Sequence, residues 1–211
     1  MNRPYDPSMR SPGALMRRLV FDYARYGYAR VSVFEIPERK VGEGQRIDEK
    51  IIEDYGITYC RTTRMLRRRK GEASIVHLRF QRWVVLLSTD GSHPQEGRVK
   101  WQDLREKPLT LWGYSIRYEN GRPNVRVAER KWKRVREAAH RIALHNEKRV
   151  SYFFQVWLEQ VIGFNHPGVT RQKMKLRNEV NHRRGAAGLP KVGRPKKKSL
   201  PTVTREYAPA A

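Results

Sequence analysis

The spacing of apolar positions changes several times along the chain, and each change marks an element. Ser11-Pro12 offers an N-cap with proline at the first helical position. Leu15, Leu19, Tyr23 and Tyr26 then recur at helical spacing until Gly27, which can close the helix. Val31, Val33, Phe34 and Ile36 crowd residues 28–36 with strand formers, stopped by Pro37. A polar loop over 37–46 leads to Ile47, Ile51 and Tyr55 on one face of a short helix closed by Gly56. Residues 73–80 and 82–89 predict a tight hairpin centred on Gln81, and Asp90-Gly91-Ser92-His93-Pro94 predicts a loop. Residues 97–108 have no clear period. Residues 109–119 and 122–128 predict a second hairpin around Asn120-Gly121, the pair best suited to the positive φ angles of a type I′ turn. Pro123 places its strand at an edge.

From Glu129 the period becomes helical. Trp132, Val135, Ala139 and Ile142 form one stripe; Val150, Phe153, Phe154, Trp157 and Val161 form another, ended by Gly163. A loop over 164–168 precedes a third helix expected over 170–184. The pattern predicts an α+β fold: an antiparallel sheet of about five strands with N-terminal helices, then a basic helical C-terminal region. The expected organisation is a disordered lead over 1–10, an α+β domain over 11–128, a helical region over 129–185 and a disordered basic tail over 186–211.

Charge then narrows the function. Among 211 residues, 45 Lys and Arg stand against 21 Asp and Glu, a formal net charge of +24. A fold this basic repels itself unless a polyanion offsets the charge, and phosphate backbones do so with release of counterions. The longest apolar run, Trp83 to Leu87, falls far short of the roughly 20 residues of a spanning helix, so no membrane partner is expected. The N-terminus lacks an apolar h-region, which predicts a cytoplasmic, nucleoid-associated or nuclear protein rather than a secreted one. The single cysteine, Cys60, allows neither an internal disulfide nor a thiolate zinc site, and is expected to be a small buried residue.

Three basic elements carry the expected binding. The first holds Arg61, Arg64, Arg67, Arg68, Arg69 and Lys70 without one acid; on a helix, Arg61, Arg64 and Arg68 share a face. The second is the last helix, with Arg171, Lys173, Lys175, Arg177, Arg183 and Arg184. Arg171, Lys175, Asn178 and His182 line one of its faces, and Arg and Asn are side chains that read base edges in a major groove. With the helix before it, this gives a loose helix-turn-helix outline; the alternative is a helix that only grips phosphate. The third is Gly193-Arg194-Pro195 with Lys196, Lys197 and Lys198 behind it. This short segment resembles the AT-hook, a peptide that lies extended in the minor groove of A·T-rich DNA. The resemblance covers about eight residues, and the alternative is a plain basic tail.

Catalytic patterns are thin. None of the six histidines has the His-x-His spacing of a rolling-circle nuclease, and no phosphate-cradling glycine loop with a lysine is present. The best metal-nuclease grouping is Asp90, His93, Glu96 and Asp103, where turn formation is the competing explanation. Trp112, Tyr114 and Tyr118 on one strand face are candidates for stacking RNA bases. The expectation is therefore a DNA-binding accessory or regulatory factor, acting in transcription or in moving or replicating DNA. No cofactor or metal is expected. RNA binding is the second reading and nuclease, transposition or replication chemistry the third.

Overall fold

A computed structural model describes residues 5–57 and 60–193, and the chain divides into two units, residues 1–128 and 129–211. The first unit is α+β, as its periodicity predicts. Its first helix, α1 (Pro12–Arg17), is capped by the Ser11 side chain, which accepts from the Ala14 amide. It continues through a π-helical turn, Arg18–Tyr23, and a 3-10 turn, Ala24–Tyr26, to Gly27 at φ 93°. The strands form two antiparallel sheets instead of one. The larger has the order β2-β3-β1-β4, from β1 (Arg30–Glu35), β2 (Ile75–Phe80), β3 (Trp83–Ser88) and β4 (Gln102–Asp103). The smaller has β5 (Leu109–Leu111), β6 (Tyr114–Glu119) and β7 (Arg122–Val127) in order.

The smaller sheet has one strand more than the periodicity predicts, for a local reason. Residues 109–119, expected as one strand, are broken at Trp112-Gly113, where φ is 46° and 78°. Two successive positive φ values make a tight turn, so Leu111 pairs with Tyr114 and the strand reverses on itself. The Asn120-Gly121 turn forms where expected, with φ 51° and 71°. The other hairpin pairs Phe80 with Trp83, and Gln81 adopts φ 53°.

β3 is central and buried on both faces, which explains its unbroken apolar run. Val84 and Leu86 pack with Ile36, Ile57, Ile75 and with Ile51 of α2 (Gly44–Asp54). Val85 and Leu87 alternate to the other face and are fully buried as well. α2 is tied to β2 by charge. Asp48, 5% exposed, accepts from Arg79 Nε at 2.8 Å and lies 3.1 Å from His77 Nε2. Burial pushes the Asp48 carboxyl up, but the hydrogen bonds from His77 and Arg79 and the Arg79 charge outweigh it, leaving the pKa below the usual value. Gly44 leaves room for this contact, since a Cβ there would sit 2.9 Å from Arg79 Nη1.

The expected disordered lead is ordered over its described part. The Arg79 amide donates to Pro7 O and the Met9 amide to Arg79 O, so this stretch lies along the outer edge of β2. An otherwise open strand edge is thereby covered.

The second unit is helical. α4 (Glu129–Ile142) buries Val135 and Ala139. Asn146 caps α5 (Glu147–Tyr152), which runs through a π-helical turn, Phe153–Trp157, into α6 (Leu158–Val161). α7 (Pro167–Ala186) starts three residues earlier than expected, because His166 Nδ1 accepts from the Gly168 amide and Pro167 sits in the first turn.

Candidate nucleic-acid interface

α7 sorts its basic residues into two groups by helical geometry. Leu176, Val180 and Arg184 follow at intervals of four, and all three are buried. Arg184 is 1% exposed; Nη1 donates to Ala143 O and His145 O, each at 2.7 Å, and Nε donates to Pro190 O at 2.8 Å. These carbonyls include those just beyond the C-terminal end of α4, where a cation is electrostatically favoured. Arg184, expected among the phosphate contacts, is a core tie. Arg177 is buried too, at 8% exposure. Lys173 pairs with Glu159 at 2.8 Å, so its charge is already balanced.

The opposite side of α7 is the expected face. Arg171, Lys175, Asn178 and His182 are all exposed, together with Met174, whereas Arg183, also exposed, turns to α4, where its Nη1 donates to His140 O at 3.3 Å. Neither Arg171 nor Lys175 forms an ion pair with a described residue. The one acid of the helix, Glu179, is turned to α4 and takes Arg136 at 3.2 Å and His140 at 3.7 Å. The outward face is thus cationic along much of a helix of 20 residues, about 30 Å long. The connection from α6 to α7 is residues 162–166, longer than the three to four residues of a usual helix-turn-helix.

Part of the expected tail is ordered. Gly188 turns the chain at φ 71°, and the Asn181 side chain holds Val192 by both backbone groups, at 2.8 and 3.1 Å. Val192 is buried. The AT-hook-like residues Arg194, Lys196, Lys197 and Lys198 lie outside the described residues.

α3 (Arg61–Arg69) is a helix, as its basic block allows. The face expected to meet phosphate is partly turned inward. Arg64 binds the Tyr28 hydroxyl; burial pushes that phenol up and Arg64 only partly offsets it. Arg68 Nη2 donates to Tyr26 O at 3.3 Å, and Arg67 is half-buried near Gly56. Arg69 and Lys70 stay exposed, beside Met65 and Leu66 at 47% and 48% exposure. Arg67, Arg68 and Arg69 also occupy the last turn, where cations stabilise the helix dipole. Of Arg61, the structure describes the backbone only.

Cys60 is not buried. It is exposed just before α3, and hydrogen bonds from the backbone and side chains of Thr63 and Thr62 lower its thiol pKa from 9.0 to about 7.

The weak catalytic grouping does not assemble. Asp90 and Asp103 do meet, but around Arg105, which binds each at 2.6 Å. Hydrogen bonds from Arg105 hold both carboxyls below the usual range. A guanidinium therefore occupies the place a metal would need. His93 Nε2 lies 3.2 Å from Tyr55 O, and its Nδ1 accepts from the Gln95 amide. The Glu96 side chain is outside the described set. Among the described residues no three of His, Cys, Asp and Glu are placed to hold a metal ion.

The aromatic face does not assemble either. Trp112 sits in a turn, Tyr114 is buried, and the Tyr118 hydroxyl donates to Ala24 O at 2.6 Å. Among the described residues no helix is long and apolar enough to cross a membrane. The chain matches no known protein family and no curated protein.

Proposed function

We infer that this protein binds nucleic acid, with duplex DNA the preferred partner, and that the exposed face of α7 makes the principal phosphate contacts. One observation carries the reading: Arg171 and Lys175 stand outward, with Asn178 and His182, on one face of a single helix whose only acid is turned to α4. A formal net charge of +24 supplies the long-range attraction that brings a polyanion to that face. Asn178 lies among these cations, where a side chain that can pair with an adenine edge adds sequence preference to phosphate grip. Arg69 and Lys70 of α3 add a basic surface on the other unit. The Asn181 clamp on Val192 fixes where the AT-hook-like segment begins, next to the helix that grips the duplex.

The reading gives a binding role in transcription or in DNA movement or replication, without chemistry of its own. Competition tests it. Labelled A·T-rich duplex DNA bound to the full chain is challenged with G·C-rich duplex, single-stranded DNA and structured RNA at two salt concentrations. None of the three should displace the labelled A·T-rich duplex efficiently at the higher salt. Preferential competition by structured RNA would replace DNA as the partner.

A further inference from the structure

The second unit also carries an open groove that the α7 face does not use. It lies between α4 and the α5 helix with its π-helical continuation, with a volume of about 580 Å³. Its floor is apolar and aromatic: Ile142 from α4, and Phe153 and Trp157 from the π-helical turn. The Phe153 and Trp157 rings stack with centroids 4.7 Å apart and planes 22° apart. Tyr152 stands at its side, 58% exposed. Its rim holds Arg141, His145 and Arg149, all exposed, and among the described residues no carboxylate lines it.

A contiguous aromatic groove open to water and rimmed by polar groups has the make-up of a binding site. The rim narrows the occupant. A flat apolar group with negative charge beside it fits an aromatic floor edged by guanidinium groups. A base of a single strand, with its own phosphate, has that shape and charge distribution. A base within a duplex does not, because its faces are already stacked on its neighbours.

We propose that this groove binds one unpaired nucleotide, its base on Trp157 and Tyr152 and its phosphate against Arg141 and Arg149. The proposal rests on the nucleic-acid reading above and adds to it a preference for DNA that carries a single-stranded or extruded base. Duplex grip and base capture then come from different faces of one helical unit: α7 for the first, α4 and α5 for the second.

The test compares two fluorescein-labelled duplexes of equal length by anisotropy, one fully paired and one with a single unpaired base. The full chain and three variants are used: Trp157→Leu, Tyr152→Ala and the double variant Arg141→Gln with Arg149→Gln. Tyr152 is exposed enough that its variant keeps the fold even if Trp157→Leu does not. The wild-type protein should bind the bulged duplex about tenfold more tightly, the scale of stacking one base on an aromatic ring. Tyr152→Ala and the arginine pair should each erase most of that difference and leave the paired duplex bound as before. Equal binding of the two duplexes by the wild type would overturn the groove while leaving duplex binding intact. The same holds if the variants weaken both duplexes alike. Binding of neither duplex would overturn both readings. Self-association that Tyr152→Ala abolishes would assign the groove to a second copy of the chain instead.

Discussion

Replacing Arg184 with leucine separates a structural arginine from a phosphate contact. In the folded protein this side chain is 1% exposed and donates to three backbone carbonyls, Ala143 O, His145 O and Pro190 O. A hydrogen bond from a charged donor contributes roughly 1.5–3 kcal/mol net, and an abandoned buried acceptor costs a comparable amount. Leucine returns about 1.5–3 kcal/mol by burying its own apolar surface. With the three bonds and the leucine term each taken at the low end of its range, the balance is a loss of about 3 kcal/mol, all of it in the unit spanning 129–211. For a unit of this size each kcal/mol moves the melting point by about 4–8 °C, so Arg184→Leu should lower the helical transition by about 12 °C or more. Thermal unfolding followed by far-ultraviolet circular dichroism reads this directly, with Arg171→Leu as the control. Arg171 is exposed and outside any ion pair with described residues, so its loss should leave the melting point within a degree or two. If Arg184→Leu melted with the wild type and weakened DNA binding like Arg171→Leu, the assignment of the two sides of α7 would be wrong.

Two further outcomes follow from the first unit. Asp48 has a pKa below its unfolded value of 3.8, so the stability it contributes is present above that pH and is lost as pH falls through the lower folded value. Asp48→Asn should therefore destabilise the protein by about 3–5 kcal/mol near neutrality, because Arg79 and His77 lose their buried partner, and should flatten the acid limb of stability against pH; an unchanged acid limb in urea titrations would contradict the assignment. Cys60, exposed with a thiol pKa of about 7, should react with iodoacetamide at a rate whose midpoint falls near pH 7; a midpoint near 9 would mean the Thr62 and Thr63 bonds do not act on it.

Much of the fold was legible because it rests on strong local signals. Ser11-Pro12, Gly27, Asn120-Gly121 and the apolar run in β3 each did what their chemistry dictates. The number of strands in the smaller sheet was not, and the reason is Trp112. Tryptophan is a strand former, so residues 109–119 read as one strand; Gly113 was the only signal of the turn that splits them. The start of α7 was hidden by His166, which caps through its ring nitrogen although histidine is outside the usual set of cap residues. The N-terminal lead has little periodicity because its order comes from pairing with Arg79, a partner far away in sequence. Within the basic helix, charge alone could not separate Arg171 from Arg184. The spacing could: Leu176 and Val180 continue by four to Arg184, which therefore points to the core. Asp90 and Asp103 do come together, not as metal ligands but around Arg105, and nothing local indicated that Arg105 stands between them.

The central claim, that the outward face of α7 grips phosphates, is tested most directly by the salt dependence of binding to duplex DNA. Each neutralised phosphate contributes about 0.9 to the slope of log K against log salt concentration. The double variant Arg171→Gln with Lys175→Gln should lower the magnitude of that slope by about 2 without changing the melting point. A wild-type slope near zero, or one unchanged in the variant, would contradict the account.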